Sequence, residues 1–221
     1  MMLVKDQMTP DPICGYLNMP VVEAQRVMEE NHIRHLPILD EDKKLVGLVT
    51  LRSLMNAVPS DVSQFSPFVV NYILSKLQVH NIMVRELIST TPDTTIEEAA
   101  RVMADRKIGC LPVMQGEELI GIISDNDLFK IMVELLGSRR EGIRVTVEQP
   151  DRAGEVARLT KAIADQDGYL SVFVTYPTDD PKIWSSVFKV INVPDDVLVE
   201  TISKLPDIEI KDVRRVKSNM V

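Results

Sequence analysis

Cysteine, long apolar runs and an excess of positive charge are what this chain of 221 residues lacks. Its two cysteines, Cys14 and Cys110, form no CxxC pair. They cannot staple a chain already long enough to bury a core, so free thiols in a reducing cytoplasm are expected. No apolar stretch reaches the roughly 18 to 20 residues that cross a bilayer, and no signal-peptide core precedes a cleavage site. A soluble intracellular chain without a membrane partner is therefore expected. The net charge of −8 argues against general affinity for nucleic acid, whose phosphates demand a basic face. Of three histidines, His32 falls at a helix end, His35 on the following strand and His80 elsewhere, which gives no metal-ligand spacing. No metal is expected. A Ser/His/Asp order, a GxSxG elbow, a P-loop and an HExxH motif are all absent.

What remains is ordinary globular composition, 45% apolar and 26% charged. Charge is unevenly spread: residues 1–137 carry 12 basic and 19 acidic side chains, residues 138–221 carry 13 and 14. Residues 1–137 also hold a repeat. VVEAQRVMEENHIRHLP aligns with IEEAARVMADRKIGCLP at an offset of 75, with Glu23/Glu98, Ala24/Ala99, Arg26/Arg101, Met28/Met103, Leu36/Leu111 and Pro37/Pro112 identical. Met8 and Met83 align in the same register, and LVGLVTLRSL aligns with LIGIISDNDL at an offset of 74. A duplicated unit, near 4–57 and 80–137, is the simplest account.

Val21, Ala24 and Met28, and likewise Ile96, Ala99, Ala100 and Met103, repeat with helical period and follow helix starts at Pro20 and Thr95. Leu36–Leu39 and Leu45–Thr50, like Leu111–Met114 and Leu119–Ser124, flank polar turns and read as hairpins. Each unit is expected to run strand, helix, strand, strand, helix. Met28, Met55, Met103 and Met132 fall on expected helices and read as core rather than ligands. Between the units, residues 58–79 carry Val69, Tyr72, Ile73 and Leu77 on one stripe, the pattern of a connecting helix. From residue 138 the rhythm gives strand, helix, strand, strand, helix, strand, the first helix closing at Gly168.

The two copies resemble a tandem pair of CBS domains, through MTPDPICGYLNMPVVEAQRVMEENHIRHLPILDEDKKLVGLVTLRSL, its counterpart from Ile82 to Leu128, and the signature G-h-h-[ST]-x-x-D at Gly121, Ser124 and Asp127. The resemblance implies an α/β (α+β) fold in which two βαββα units pack as a pseudo-twofold pair with two nucleotide clefts, and an adenine nucleotide or related adenosyl compound (AMP, ADP, ATP) as effector. Ser124 supplies a hydroxyl at a helix start, and Asp127 can accept hydrogen bonds from two ribose hydroxyls. The same spacing also fits a plain helix cap. By resemblance, Ile13, Cys14 and Tyr16 face the base, and Arg34 and His35 approach the phosphates. In the other cleft Thr50 and Arg52 remain, but Ser53 replaces the carboxylate, joined by Thr90, Thr91, Gly109 and Cys110. One good and one degraded cleft is the expectation.

The tail is similar to an ACT domain (βαββαβ, ferredoxin-like), DRAGEVARL matching that family's DRPG turn with Ala153 in place of proline. Asp151, Gly154 and Glu155 match the positions that hold an amino acid where such domains bind one. The whole arrangement resembles the acetoin utilization protein B type: residues 1–57 first repeat, 58–79 connector, 80–137 second repeat, 138–221 ACT unit. The resemblance implies a non-catalytic cytoplasmic regulator linked to acetoin or acetyl metabolism. A homodimer is expected, through helix faces carrying Leu54, Met55, Leu128 and Met132 and through the ACT units. A ligand-free scaffold and a thiol enzyme using Cys14 beside His35 are the alternatives.

Overall fold

The computed structural model describes residues 2–57 and 76–217. The chain divides into two compact units, Met1–Leu128 and Phe129–Val221. The connector expected on Val69, Tyr72 and Ile73 lies outside the described residues.

In the first unit, β1 (Thr9–Pro10), β2 (Gly15–Tyr16), α1 (Val21–Glu30), β3 (His35–Leu39), β4 (Leu45–Thr50) and α2 (Leu51–Ala57) form the first repeat. In the second, α3 (Ile96–Arg106), β5 (Cys110–Gln115) and β6 (Glu118–Ser124) are followed by α4 (Asp125–Leu135), which begins within this unit. The expected helix faces are the buried ones: Val21, Ala24 and Met28 on α1, and Ile96, Ala99 and Met103 on α3. Thr95 caps α3 by accepting a hydrogen bond from Glu98 N at 3.2 Å. Both helices run into a left-handed residue, His32 (φ 54°) after α1 and Lys107 (φ 55°) after α3. The duplication therefore extends to backbone conformation.

The hairpins form as expected, β3 with β4 and β5 with β6, both antiparallel. The opening strands differ. In the first repeat β2 pairs in parallel with β3, but in the second only a single parallel bridge, Thr90 to Val113, stands in its place. A further exchange was invisible in the sequence pattern. β1, from the first repeat, adds to the second repeat's sheet through Thr9↔Ile122 and Pro10↔Gly121, and Val84 bridges back to Leu48. The sheets are ordered β2-β3-β4 and β1-β6-β5. Gly47 and Gly121 make the exchange fit. A Cβ built on Gly47 would collide with the Met83 side chain, and one on Gly121 with Met8. The aligned methionines thus fill the space left by aligned glycines of the opposite repeat. Of the four helical methionines expected in the core, Met28 and Met103 are buried, whereas Met55 and Met132 are exposed.

The second unit contains β7 (Gly142–Pro150), α5 (Glu155–Ala164), β8 (Tyr169–Pro177), β9 (Ile183–Ile191), α6 (Asp195–Ser203) and β10 (Glu209–Val216). This is the expected βαββαβ order, folded as one antiparallel sheet, β10-β7-β9-β8. Ile143, Val145, Val147, Phe188 and Val190 pack against Leu159 and Ile163 of α5 and Leu198 and Ile202 of α6. Lys189, buried on β9, donates to the carbonyls of Gly137 and Arg140, both at 2.7 Å. The unit accordingly reaches back before the first residue of β7.

Candidate functional site

The signature residues sit at helix starts, where the backbone leaves N–H groups without intrahelical partners. In the second repeat the Asp127 carboxylate accepts from Ser124 N at 3.0 Å and Ser124 Oγ at 2.7 Å. In the first repeat Thr50 N donates to Ser53 Oγ at 2.9 Å, and Ser53 N to Thr50 Oγ1 at 3.1 Å. Thr50 therefore caps α2 through Ser53 N, whereas in the second repeat the Asp127 carboxylate reaches back to Ser124.

A cavity of about 690 Å³ opens between the repeats. Its polar wall holds Arg34 and His35 at the start of β3, Thr50 and Arg52 around the start of α2, and Lys107, Gly109 and Cys110 at the entry to β5. Leu48, Val84, Leu87 and Ile88 supply apolar surface, and among the described residues Glu86 is its one carboxylate. Three cations against one carboxylate make an anion-receptive wall in an acidic chain, at a volume usual for small-molecule sites. Six residues named from the sequence, Arg34, His35, Thr50, Arg52, Gly109 and Cys110, thus come together. Ser53 lines an adjoining cavity of about 410 Å³ with Thr50, Arg52 and Asn81.

Ile13, Cys14, Tyr16, Ser124 and Asp127 are not among the larger cavity's walls, nor are Thr90 and Thr91. Ile13 and Tyr16 are exposed, the Tyr16 hydroxyl donating to Glu23 at 3.2 Å. Cys14 Sγ donates to the Pro12 carbonyl at 3.1 Å. Thr90 is tied into the β5 edge by backbone bonds to Pro112 and Met114, and the Thr91 hydroxyl meets that of Thr94 at 3.0 Å. The open volume thus joins Arg34 and His35, expected in the good cleft, with Thr50, Arg52, Gly109 and Cys110, expected in the other.

Arg34 and His35 are held from both repeats. Arg34 Nη2 donates to Asp125 Oδ1 at 2.5 Å, while the Arg34 carbonyl accepts from Leu51 N at 3.1 Å. Burial and the adjacent Arg34 charge push the His35 imidazole below its ordinary range, against the opposing pull of Asp125 and Asp127. Gly109 permits this packing: a Cβ there would stand 3.1 Å from His35 Nε2. Burial drives the Cys110 thiol up to about 12 and raises that of Cys14 as well. Sequence reasoning missed Lys107 and Asp125. The first is signalled only by its alignment with His32, the second by an acid standing where the first repeat has Leu51.

In the second unit, Gly154 has φ +93°, with open space where a Cβ would project. Glu155 is not open: it is buried, accepting from Arg152 Nε at 2.5 Å and from the Arg158 guanidinium. Burial alone would raise its carboxyl, but the two arginines outweigh that and hold it below the ordinary range.

The duplicated sequence and its fold are matched by known proteins. The CBS domain family matches residues 4–60 and 79–134, just over half of the sequence. The chain belongs to the CBS domain family. Its CBS pair superposes with a TM-score of 0.52 on the crystal structure of an AcuB protein from Vibrio cholerae assigned to acetoin utilization, at 34% identity, covering 62% of this chain and 94% of that one. It superposes equally, TM-score 0.52 at 27% identity, on the CBS domain pair of protein MJ0100 in complex with 5′-methylthioadenosine and S-adenosyl-L-methionine, covering 61% and 98%. Among curated proteins, L-aspartate semialdehyde sulfurtransferase of Methanocaldococcus jannaschii is 28% identical over 130 residues, 58% of this chain. The match spans only about a quarter (23%) of that relative's length. Among the described residues no helix is long and apolar enough to cross a membrane, and no group of three or more His, Cys, Asp or Glu side chains could hold a metal.

Proposed function

We propose that this protein is a non-catalytic sensor whose CBS pair takes up an adenosyl compound between its repeats. The observation that carries this reading is the 690 Å³ cavity, with Arg34, Arg52 and Lys107 and apolar side chains in its wall. Binding of adenosyl compounds by the CBS pair of MJ0100 supports it. Two positions are open to the ligand. One is the Asp127 cleft, where the carboxylate exchanges its bond to Ser124 for ribose hydroxyls and Ile13, Cys14 and Tyr16 flank the base. The other is the cavity itself, with the phosphates on Arg52 and Lys107. A bound ligand acts as a switch only insofar as it favours one packing of the repeats over another.

Catalysis by Cys14 fits the site poorly, because a thiol raised by burial is protonated at neutral pH. A place in acetoin or acetyl metabolism rests on the Vibrio cholerae neighbour. The second unit is read as an ACT domain from its βαββαβ order and the open left-handed turn at Gly154. With Glu155 committed to Arg152 and Arg158, Asp151 and Gly154 are the positions left for an amino acid there.

The test is a thermal-shift panel of adenosine, 5′-methylthioadenosine, S-adenosylmethionine, AMP, ADP and ATP, followed by calorimetric titration. At 100 times its dissociation constant a ligand adds roughly 2.7 kcal/mol to native stability, a visible shift. Asp127→Ala is expected to weaken binding on the order of 10- to 100-fold if the ligand's ribose sits on that carboxylate. A loss confined to Arg52→Ala would place the ligand in the cavity instead. No shift with any compound would leave the ligand-free scaffold as the reading.

A further inference from the structure

The Arg34–Asp125 pair breaks the symmetry of the duplicated frame. Each repeat starts its last helix in the same way: Leu51 N donates to the Arg34 carbonyl, and Asp125 N to the Gly109 carbonyl at 2.9 Å. The aligned positions are thus Leu51 with Asp125 and Arg34 with Gly109. Helix α2 starts from a leucine, so the helix start itself does not require an acid. Only in one direction across the repeats does a cation meet a carboxylate, where Arg34 reaches Asp125 at 2.5 Å; the reverse pairing offers a glycine and a leucine.

Arg34 is a wall residue of the cavity and Asp125 is not. The carboxylate therefore holds the guanidinium without itself lining the cavity, and neutralises a charge that would otherwise face the ligand. Both side chains keep partial solvent access, 52% and 39% exposed, so the pair is held loosely enough to be competed for. An anionic group entering the cavity must share Arg34 with Asp125 or displace it, and it also meets the repulsion of that carboxylate. An uncharged adenosyl tail meets neither cost.

We propose that Asp125 is a specificity-determining residue of the cleft: by occupying Arg34 it disfavours adenosine compounds rich in phosphate relative to those with little or no negative charge. This rests on the adenosyl-ligand reading above.

The experiment is calorimetric titration of adenosine, AMP and ADP into the full chain and into Asp125→Asn, Arg34→Ala and the double variant, each checked for an unchanged melting profile. Asp125→Asn retains the shape and backbone bond of the residue and removes only its charge. It is expected to bind ADP about 10-fold tighter, AMP by a smaller factor, and adenosine within about 2-fold of the parent. The gain for ADP should vanish when Arg34→Ala is added, because the freed guanidinium is its source. An equal change for adenosine and ADP, no gain for ADP, or a gain that survives Arg34→Ala overturns the proposal while leaving the sensor reading intact. If the parent binds none of the three, the proposal stands only if Asp125→Asn recovers ADP binding. Silence from all four proteins overturns this proposal, and the sensor reading falls with it only if the wider panel of adenosyl compounds is silent as well.

Discussion

His35 shows how one side chain records its surroundings. Its imidazole is held below the ordinary value of 6.5, first by burial and then by Arg34. A group with a lowered native pKa lends stability that is full above the unfolded value and lost as pH falls towards the native one. Ligand-free protein should therefore lose more melting temperature between pH 7 and 5.5 than His35→Gln does. Equal losses in the two proteins would show that His35 is not the titrating group. The CBS resemblance pointed to Arg34, His35, Thr50 and Arg52, which the structure brings to one cavity. The sequence hid Asp125, whose meaning lies in a contact 91 residues away. It also gave no sign of the two arginines that fold onto Glu155.

At the level of elements, helices and hairpins were legible almost to the residue, because apolar periodicity and polar turns are local signals. The traded strands were not. A two-residue segment such as Thr9–Pro10 carries no pattern naming the sheet it joins, and the weak opening strand of the second repeat reduces to one bridge. The glycines at the exchange supply a check. Gly47→Ala and Gly121→Ala should each destabilise by about 1–3 kcal/mol through overpacking. Gly47→Ala should cost more, because its neighbour Met83 is buried while Met8 is only half-buried and can move. Chemical denaturation of the two variants would contradict this packing if both matched the parent. Thr95→Ala, which removes the cap on α3, should cost about 1 kcal/mol in the same assay. Pro20, at the aligned position, makes no side-chain cap, so the loss has no counterpart on α1.

For the molecule as a whole, uncovered apolar side chains are the main open feature. Leu51 and Met55 on α2 are exposed, and so are Phe129, Met132 and Leu135 along α4, whereas Leu54, expected on the same outward face, is buried. Such surface is what a second copy of the chain would cover, and a homodimer is the expected state. Light scattering at micromolar concentration should give twice the chain mass, and Met55→Glu or Met132→Glu should shift it towards one. A monomeric parent would defeat the expectation. The traded strands bear on how the chain is made. Thr9 pairs with Ile122, so this strand waits for a partner synthesised more than a hundred residues later. At roughly 5–20 residues per second that delay is on the order of 5–20 seconds, during which the first repeat is exposed without its closing contacts. A nascent chain stalled short of β6 should be digested by protease throughout its first repeat, and one stalled beyond the second unit should resist.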